Sequence, residues 1–326
     1  MYMNSMFSSI KDSSQKRLDE LRTAISTMSF PPSLKEKICI FACGSLGRLE
    51  MTEQSDLDLF FISDCDSIND KGQSISNISN LDKYRFFAQL DKINKSLHYI
   101  DPSKGGLYWD FTSKRNLLDI GSRVEDYNNS FTARMLLLLE SKPLYNSAAY
   151  DELVKETVLK YFVDYEDYSD KFYPLFLMND ILRYWYTLTL NYEYRRDASE
   201  DVNKKYWKRL KLKYPRLITC FSMLACLYQE KISPEAVIQI VKMTPFERLE
   251  LLAENNEKLK DVVSRIFTEY ESYLELRKQG PEWWDMADHK REAFTRADTF
   301  HDIVLHDFMK IISETNPALR SSVDVY

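Results

Sequence analysis

"CGSLGRLEMTEQSDLDLF", residues 43–60, decides the reading of this chain. The protein has only 7 glycines in 326 residues, yet Gly44 and Gly47 both fall here, around Ser45 and Leu46. Ten residues separate Ser45 from Asp56-Leu57-Asp58. On either side stand "KICIFAC" (37–43) and "LDLFFI" (57–62), short runs rich in β-branched and aromatic residues. Such runs, bounded by a glycine turn, predict strand, tight turn, strand.

Alternate residues of a strand share a side, so Asp56 and Asp58 are expected to face one way while Leu57 and Leu59 enter the core. Two ionised carboxylates that close repel, and a divalent cation between them is the usual remedy. Mg²⁺ takes few protein oxygens and keeps positions for water and phosphate. Gly44 admits a phosphate without a Cβ in the way, and the Ser45 hydroxyl with neighbouring N–H groups can hold phosphate oxygens. Arg48 either supplies a cation for a triphosphate or pairs with Glu50 to anchor the loop.

Composition sets the frame. The chain is 44% hydrophobic and 29% charged, with 21 Tyr and 18 Phe; few Gly and Pro argue for long helices. The net charge of −6 gives no global signal for nucleic acid, so phosphate affinity has to be local. Cys39, Cys43, Cys65, Cys220 and Cys226 form no CxxC pattern and read as buried reduced thiols. The N-terminus has no signal-peptide core, and runs such as Met135–Leu139 are too short to cross a bilayer. A cytoplasmic location without membrane attachment is the expectation.

Residues 10–29 have the Leu spacing of a helix that closes at Pro31-Pro32, and residues 63–80 read as a loop. A helix spans 81–97, "LYWDF" and "NLLDIGSRV" read as further strands, and helices dominate from about residue 125. The expected fold class is α+β: a small mixed sheet with flanking helices, then a large all-α region. The expected divisions are 1–30, 31–125 and 126–326.

The string from Gly44 to Ile62 resembles the nucleotidyltransferase signature of the DNA polymerase β superfamily, Gly-Ser, a spacer, then Asp-x-Asp. It looks most like the branch of PII uridylyltransferases and related bacterial nucleotidyltransferases. "LLDIGSRVEDYNNSFTARMLLLLESKPLYN" and "FLMNDILRYWYTLTLNYEYRR" extend the likeness to roughly residues 35–225. The resemblance implies a nucleoside triphosphate as substrate, ATP among the candidates, and two Mg²⁺ or Mn²⁺ ions on Asp56 and Asp58. It also implies transfer of a nucleoside monophosphate to a hydroxyl by in-line displacement. A third carboxylate on a neighbouring strand is part of that pattern: Asp119 is the first choice and Asp110 the second.

"KKYWKRLKLKYPR" (204–216) carries seven cations and no acid, with Lys204, Lys208 and Lys211 on one helical face. It is either a phosphate-binding patch or a solvated basic face. Asn179, Arg183 and Tyr186 share another helical face, where Asn179 and Arg183 are candidates for lining the nucleotide cleft. "TFHDIVLHDF" lacks the spacing of an HD hydrolase and reads as a surface helix.

The acceptor is expected to be a protein side chain, an RNA end or an untemplated oligonucleotide, and the C-terminal Tyr326 is one candidate phenol. Antiphage or stress signalling is the expected setting, with a homo-oligomer open. The rival reading is a non-catalytic nucleotide-binding or interaction protein, including a toxin–antitoxin component.

Overall fold

The computed structural model describes residues 5–32, 34–53, 55–68, 74–102, 106, 109–121, 129–194, 202–229, 231–317 and 319. The chain is mixed α/β and divides into two compact units, residues 8–163 and residues 1–7 with 164–326.

In the first unit, α1 (Ser5–Ser26) leads to β1 (Ile38–Ala42), a one-turn helix α2 (Gly44–Gly47) and β2 (Leu59–Ser63). A small hairpin of β3 (Asp66–Ile68) and β4 (Ser74–Ser76) precedes α3 (Asn80–Ser96). β5 (Phe111–Ser113), α4 (Lys114–Leu118), α5 (Ser130–Glu140), β6 (Lys142–Tyr145) and α6 (Ser147–Lys160) complete the unit. Four strands form one sheet in the order β5-β2-β1-β6. β1 runs antiparallel to β2, with Ile40 opposite Phe61, and antiparallel to β6. β2 runs parallel to β5, with Phe61 opposite Phe111.

All five residues of β1 are buried because both faces of the sheet are covered. Ile38, Ile40 and Ala42 join Leu57, Leu59 and Phe61 in a core with Leu18, Leu21, Phe86 and Leu90. On the opposite face Phe41 stacks on Phe60 at 5.6 Å and meets the ring of Tyr150 at 6.1 Å. The near-continuous apolar character of "ICIFA" follows from this double coverage. Ser79 caps α3 by accepting from the Asp82 amide at 3.1 Å.

Three expectations are corrected. The region after residue 125 is not all helical, because β6 hydrogen-bonds to β1 and the sheet unit runs to residue 163. Pro143 fits there because β6 is an edge strand, where a missing N–H costs little. "NLLDIGSRV" is not a strand over its described residues: Asn116–Leu118 belong to α4 and a turn follows. Finally, residues 63–80 hold the β3–β4 hairpin rather than loop alone.

The second unit contains α7 (Tyr165–Tyr168), α8 (Leu175–Tyr194), α9 (Val202–Lys211), α10 (Leu217–Leu227), α11 (Pro234–Lys242) and α12 (Pro245–Asn255). It continues with α13 (Lys260–Leu276), α14 (Pro281–Asp285), α15 (Ala287–Asp302) and α16 (Met309–Thr315). Thr244 starts α12 with a capping box, its side chain on the Glu247 amide and the Glu247 carboxylate on its own amide. Arg248, fully buried, donates to the Ile240 and Val241 carbonyls at the end of α11. An aromatic core of Phe246, Phe267, Tyr270 and Phe300 takes in Phe7, whose ring lies 4.5 Å from that of Phe246. Among the described residues no helix is long and apolar enough to cross a membrane.

All five cysteines are buried and free. Burial pushes the thiols of Cys39 and Cys226 up to about 12. At pH 8 a group titrating there is thiolate in roughly one molecule in ten thousand. A disulfide reagent such as DTNB at pH 8 is therefore expected to find almost no reactive thiol in the native protein and all five after unfolding in guanidinium. Two or more thiols reacting within seconds in the native state would contradict the packing described.

Candidate active site

The glycine–serine turn is built by backbone geometry first. Gly44 has φ +62°, a conformation that a side chain resists. A Cβ there would lie 2.4 Å from Asp58 Oδ2, so the carboxylate of Asp58 rests directly against the turn. The Cys43 amide donates to the Asp58 carbonyl at 2.9 Å, which ties the end of β1 to the approach to β2. Gly47 answers a second close approach: a Cβ at that position would lie 1.9 Å from the Glu140 carbonyl oxygen at the end of α5. Each glycine thus makes room for a different neighbour.

Burial along residues 55–59 alternates. Ser55, Leu57 and Leu59 are buried, Asp56 is half-buried and Asp58 is exposed. Leu57 and Leu59 belong to the core beneath α1 and α3. Both acids stay out of that core just ahead of β2, and Asp58 is the one seated against the Gly44 turn.

Arg48 has a different role from a triphosphate cation. Its Nε donates to Glu50 Oε1 at 2.7 Å, and its two terminal nitrogens pair with Glu50 and Glu140. The three side chains are at most 9% exposed. Of the two alternatives left open for Arg48, the structure displays the anchor, and it adds Glu140 from α5. Leu49 at φ 57° and the Glu50 amide, which donates to the Ser45 carbonyl at 2.8 Å, complete the fold-back. Cys43 lies beneath this cluster. Its thiol is held well above the usual range by burial and by the Glu140 and Asp58 carboxylates, against an opposing pull from Arg48.

The two candidates for a third carboxylate differ in placement. Asp119 is exposed and ends α4, eight positions into the chain from the end of the strand approach at Phe111, so the premise of a buried strand does not hold. Asp110 directly precedes β5, the parallel neighbour of β2, as Asp58 directly precedes β2 itself. Asp110 Oδ1 accepts from Lys83 Nζ at 2.9 Å and from the Phe111 amide at 2.8 Å. Among the described residues no group of three His, Cys, Asp or Glu side chains is gathered in a way that would hold a metal ion. The donor set on hand is thus the Asp56–Asp58 pair, two hard oxygen ligands. That suits Mg²⁺ or Mn²⁺ completed by water and substrate phosphates.

The remaining candidates belong to the helical unit. Asn179 and Arg183 lie on the exposed face of α8, with Arg183 Nη1 3.7 Å from Asp180 Oδ1. Trp185, between Arg183 and Tyr186 in sequence, is buried and packs on Phe221 at 5.7 Å. On α9, Lys208 is half-buried and Lys211 exposed, and the side chain of Lys204 lies outside the described residues. The cationic run is partly structural. Against α15, Arg209 of α9 stands 4.6 Å from the centre of the Phe294 ring, Lys290 lies 5.0 Å from the ring of Tyr206 on α9, and Lys213 of the π-helical turn Leu212–Arg216 pairs with Asp298. His301 and His306 sit on α15 and the π-helical turn Ile303–Phe308, with the His301 imidazole pulled down chiefly by burial. Tyr326 lies outside the described residues.

Sequence reasoning missed Glu140 and Lys83. Glu140 had one legible signal, an acid closing the apolar run "MLLLLE", where a buried charge needs a partner. Lys83 had none, since its link to Asp110 spans 27 positions.

Residues 2–94 match the model of a nucleotidyltransferase-type family, described as "Putative nucleotidyltransferase DUF294". The match takes in the turn, Asp56, Asp58 and Lys83, and ends before Asp110. No curated protein and no solved structure matches the chain.

Removing one partner from a buried ion cluster leaves uncompensated charge and costs about 3–5 kcal/mol. Arg48→Ala is accordingly expected to lower the unfolding free energy by about that amount. A urea titration followed by circular dichroism measures it, and a loss below about 1 kcal/mol would mean that the guanidinium is solvated as surface pairs are.

Proposed function

We propose that the chain is a divalent-metal-dependent nucleotidyltransferase that moves a nucleoside monophosphate from an NTP or dNTP to a hydroxyl acceptor. The observation that carries this reading is the Asp58 carboxylate lodged against Gly44, with Asp56 two positions before it and likewise outside the core. The match of residues 2–94 to a nucleotidyltransferase-type family supports it independently.

In this reading Asp56 and Asp58 hold the metal ions, Mg²⁺ or Mn²⁺. The bound metal supplies charge neutralisation on the triphosphate and a lowered pKa for the incoming hydroxyl. Gly44 leaves room for the Asp58 carboxylate, while the Ser45 hydroxyl and the backbone of the turn position phosphate oxygens. Arg48 acts through position alone, fixing the turn to α5 by its pairs with Glu50 and Glu140. Asp110 replaces Asp119 as the preferred third carboxylate because it leads into the strand beside β2.

The bond formed joins the acceptor oxygen to the α-phosphorus, and the bond broken releases pyrophosphate. The acceptor proton leaves to solvent. Positioning and charge compensation carry most of such a reaction. The acceptor class is a protein side chain, an RNA end or a growing oligonucleotide, with Tyr326 of the chain itself as one phenol to examine.

Incubation with each NTP and dNTP in Mg²⁺ or Mn²⁺, with pyrophosphate release as the readout, tests the activity. Asp56→Ala and Asp58→Ala are each expected to reduce release by roughly a thousandfold or more, equivalent to about 4 kcal/mol of transition-state stabilisation. Circular dichroism of both variants should remain native, because neither side chain belongs to the core. Intact-mass analysis of the chain after turnover reports self-modification. Release that is absent with every nucleotide, or indifferent to both substitutions, would make the chain a non-catalytic binder.

Gly44→Ala separates the turn from the metal ligands. It forces a Cβ into the space of Asp58 Oδ2 and strains the backbone, so it should abolish release while leaving Asp56 and Asp58 in the sequence. Wild-type rates in this variant would remove the turn from the reaction.

A further inference from the structure

Helix α8 has one apolar face in the core and a second that is exposed. Leu177, Met178, Ile181, Leu182, Tyr184 and Trp185 are buried. Between them the exposed positions are Phe176, Asn179, Arg183, Tyr186 and Leu190, spaced alternately by three and four residues. Phe176 is 47% exposed, Tyr186 40% and Leu190 69%, and Tyr194 in the last turn is 88% exposed. A surface helix normally places polar residues on such a face. Alternating three-four spacing is instead the pattern of a seam that packs against another helix.

The charges along this seam select the occupant. Arg183 and the exposed Glu193 flank Tyr186 and Leu190, and both pairs are symmetric about Leu188. An antiparallel helix of the same sequence, related by a two-fold axis near Leu188, sets Tyr186 of each copy against Leu190 of the other. The same operation sets Arg183 of each copy against Glu193 of the other. Every favourable pair is made twice, as a two-fold contact requires. Moving the axis by half a heptad would face Leu190 with Asn179 and Phe176 with Glu193, which pairs apolar with polar side chains. The Arg183 contact with Asp180 at 3.7 Å does not compete, because a guanidinium carries five donors.

We propose that this face of α8 is a homodimer interface in which the segment from Leu182 to Tyr194 pairs antiparallel with its copy. The aligned segment is about 20 Å long, so the contact is of modest area and the dimer has a dissociation constant on the order of micromolar. The inference stands apart from the nucleotide chemistry, and its test reads mass rather than turnover.

Sedimentation velocity across roughly 1–200 µM full-length chain, a range bracketing that affinity, measures the assembly. The wild type is expected to shift from monomer to dimer over this range. Leu190→Glu should remain monomeric. Arg183→Glu and Glu193→Arg each replace two attractions by two repulsions and should weaken the dimer about tenfold or more. The double variant Arg183→Glu/Glu193→Arg exchanges the charges and should return the dissociation constant to within about threefold of wild type. Raising the salt concentration should shrink the effect of both single reversals.

All three substituted side chains are exposed, and thermal melts should confirm that the variants fold. A wild type that stays monomeric throughout would overturn the proposal and leave the face to another partner. A dimer unaffected by Leu190→Glu would place the interface elsewhere. Single reversals that the double variant fails to rescue would overturn the antiparallel register.

Discussion

Among the described residues, Gly44 and Gly47 have no room for a Cβ, and the architecture around the candidate site depends on them. Gly44 is pressed by the Asp58 carboxylate, and Gly47 by the carbonyl that ends α5. The turn is thereby clamped between the approach to β2 and the helix that precedes β6. Close packing of backbone on backbone tolerates no added methyl without displacement of the chain. The result is a fixed relation between β1, α2, the Asp-Leu-Asp segment and α5, made from elements almost a hundred residues apart.

Electrostatics completes the clamp. Arg48, Glu50 and Glu140 are nearly excluded from water, where an ion pair gains little net stability over an apolar replacement. The guanidinium satisfies Glu50 within the loop and Glu140 across the unit, so one side chain ties the two together. Arg48 is committed to that task, and the chemistry proposed at Asp56 and Asp58 draws on metal ions for positive charge.

The helical unit uses the same means for a different end. Arg248 is buried to close α11, and Arg209 of α9 and Lys213 of the turn after it are spent on Phe294 and Asp298. A π-helical turn at Leu212–Arg216 accommodates Pro215, and the buried Tyr214 stacks between Tyr273 and Phe300. Aromatic residues make up 13% of the chain. In this unit most of those named fill the core, whereas Phe176, Tyr186 and Tyr194 on α8 are held at the surface.

Local pattern made the heart of the fold readable. Alternation in "SDLDL" is a local signal: Leu57 and Leu59 go to the core and the two acids stay out of it, although β2 itself begins only at Leu59. A glycine beside a serine after an apolar run implies a turn for equally local reasons. What required the tertiary structure was non-local. "KPLY" is too short and too proline-bound to announce a strand, and becomes one only because β1 offers an edge. Asp119 sits among apolar neighbours in sequence yet ends a short helix in the open, while Asp110 gains its place through β5 and its partner through Lys83. Whether Arg48 faces a ligand or a carboxylate was settled by Glu140, 92 positions away. Side-chain periodicity is written residue by residue along the chain, but the partner of a buried charge is chosen by packing between segments that the linear order keeps apart.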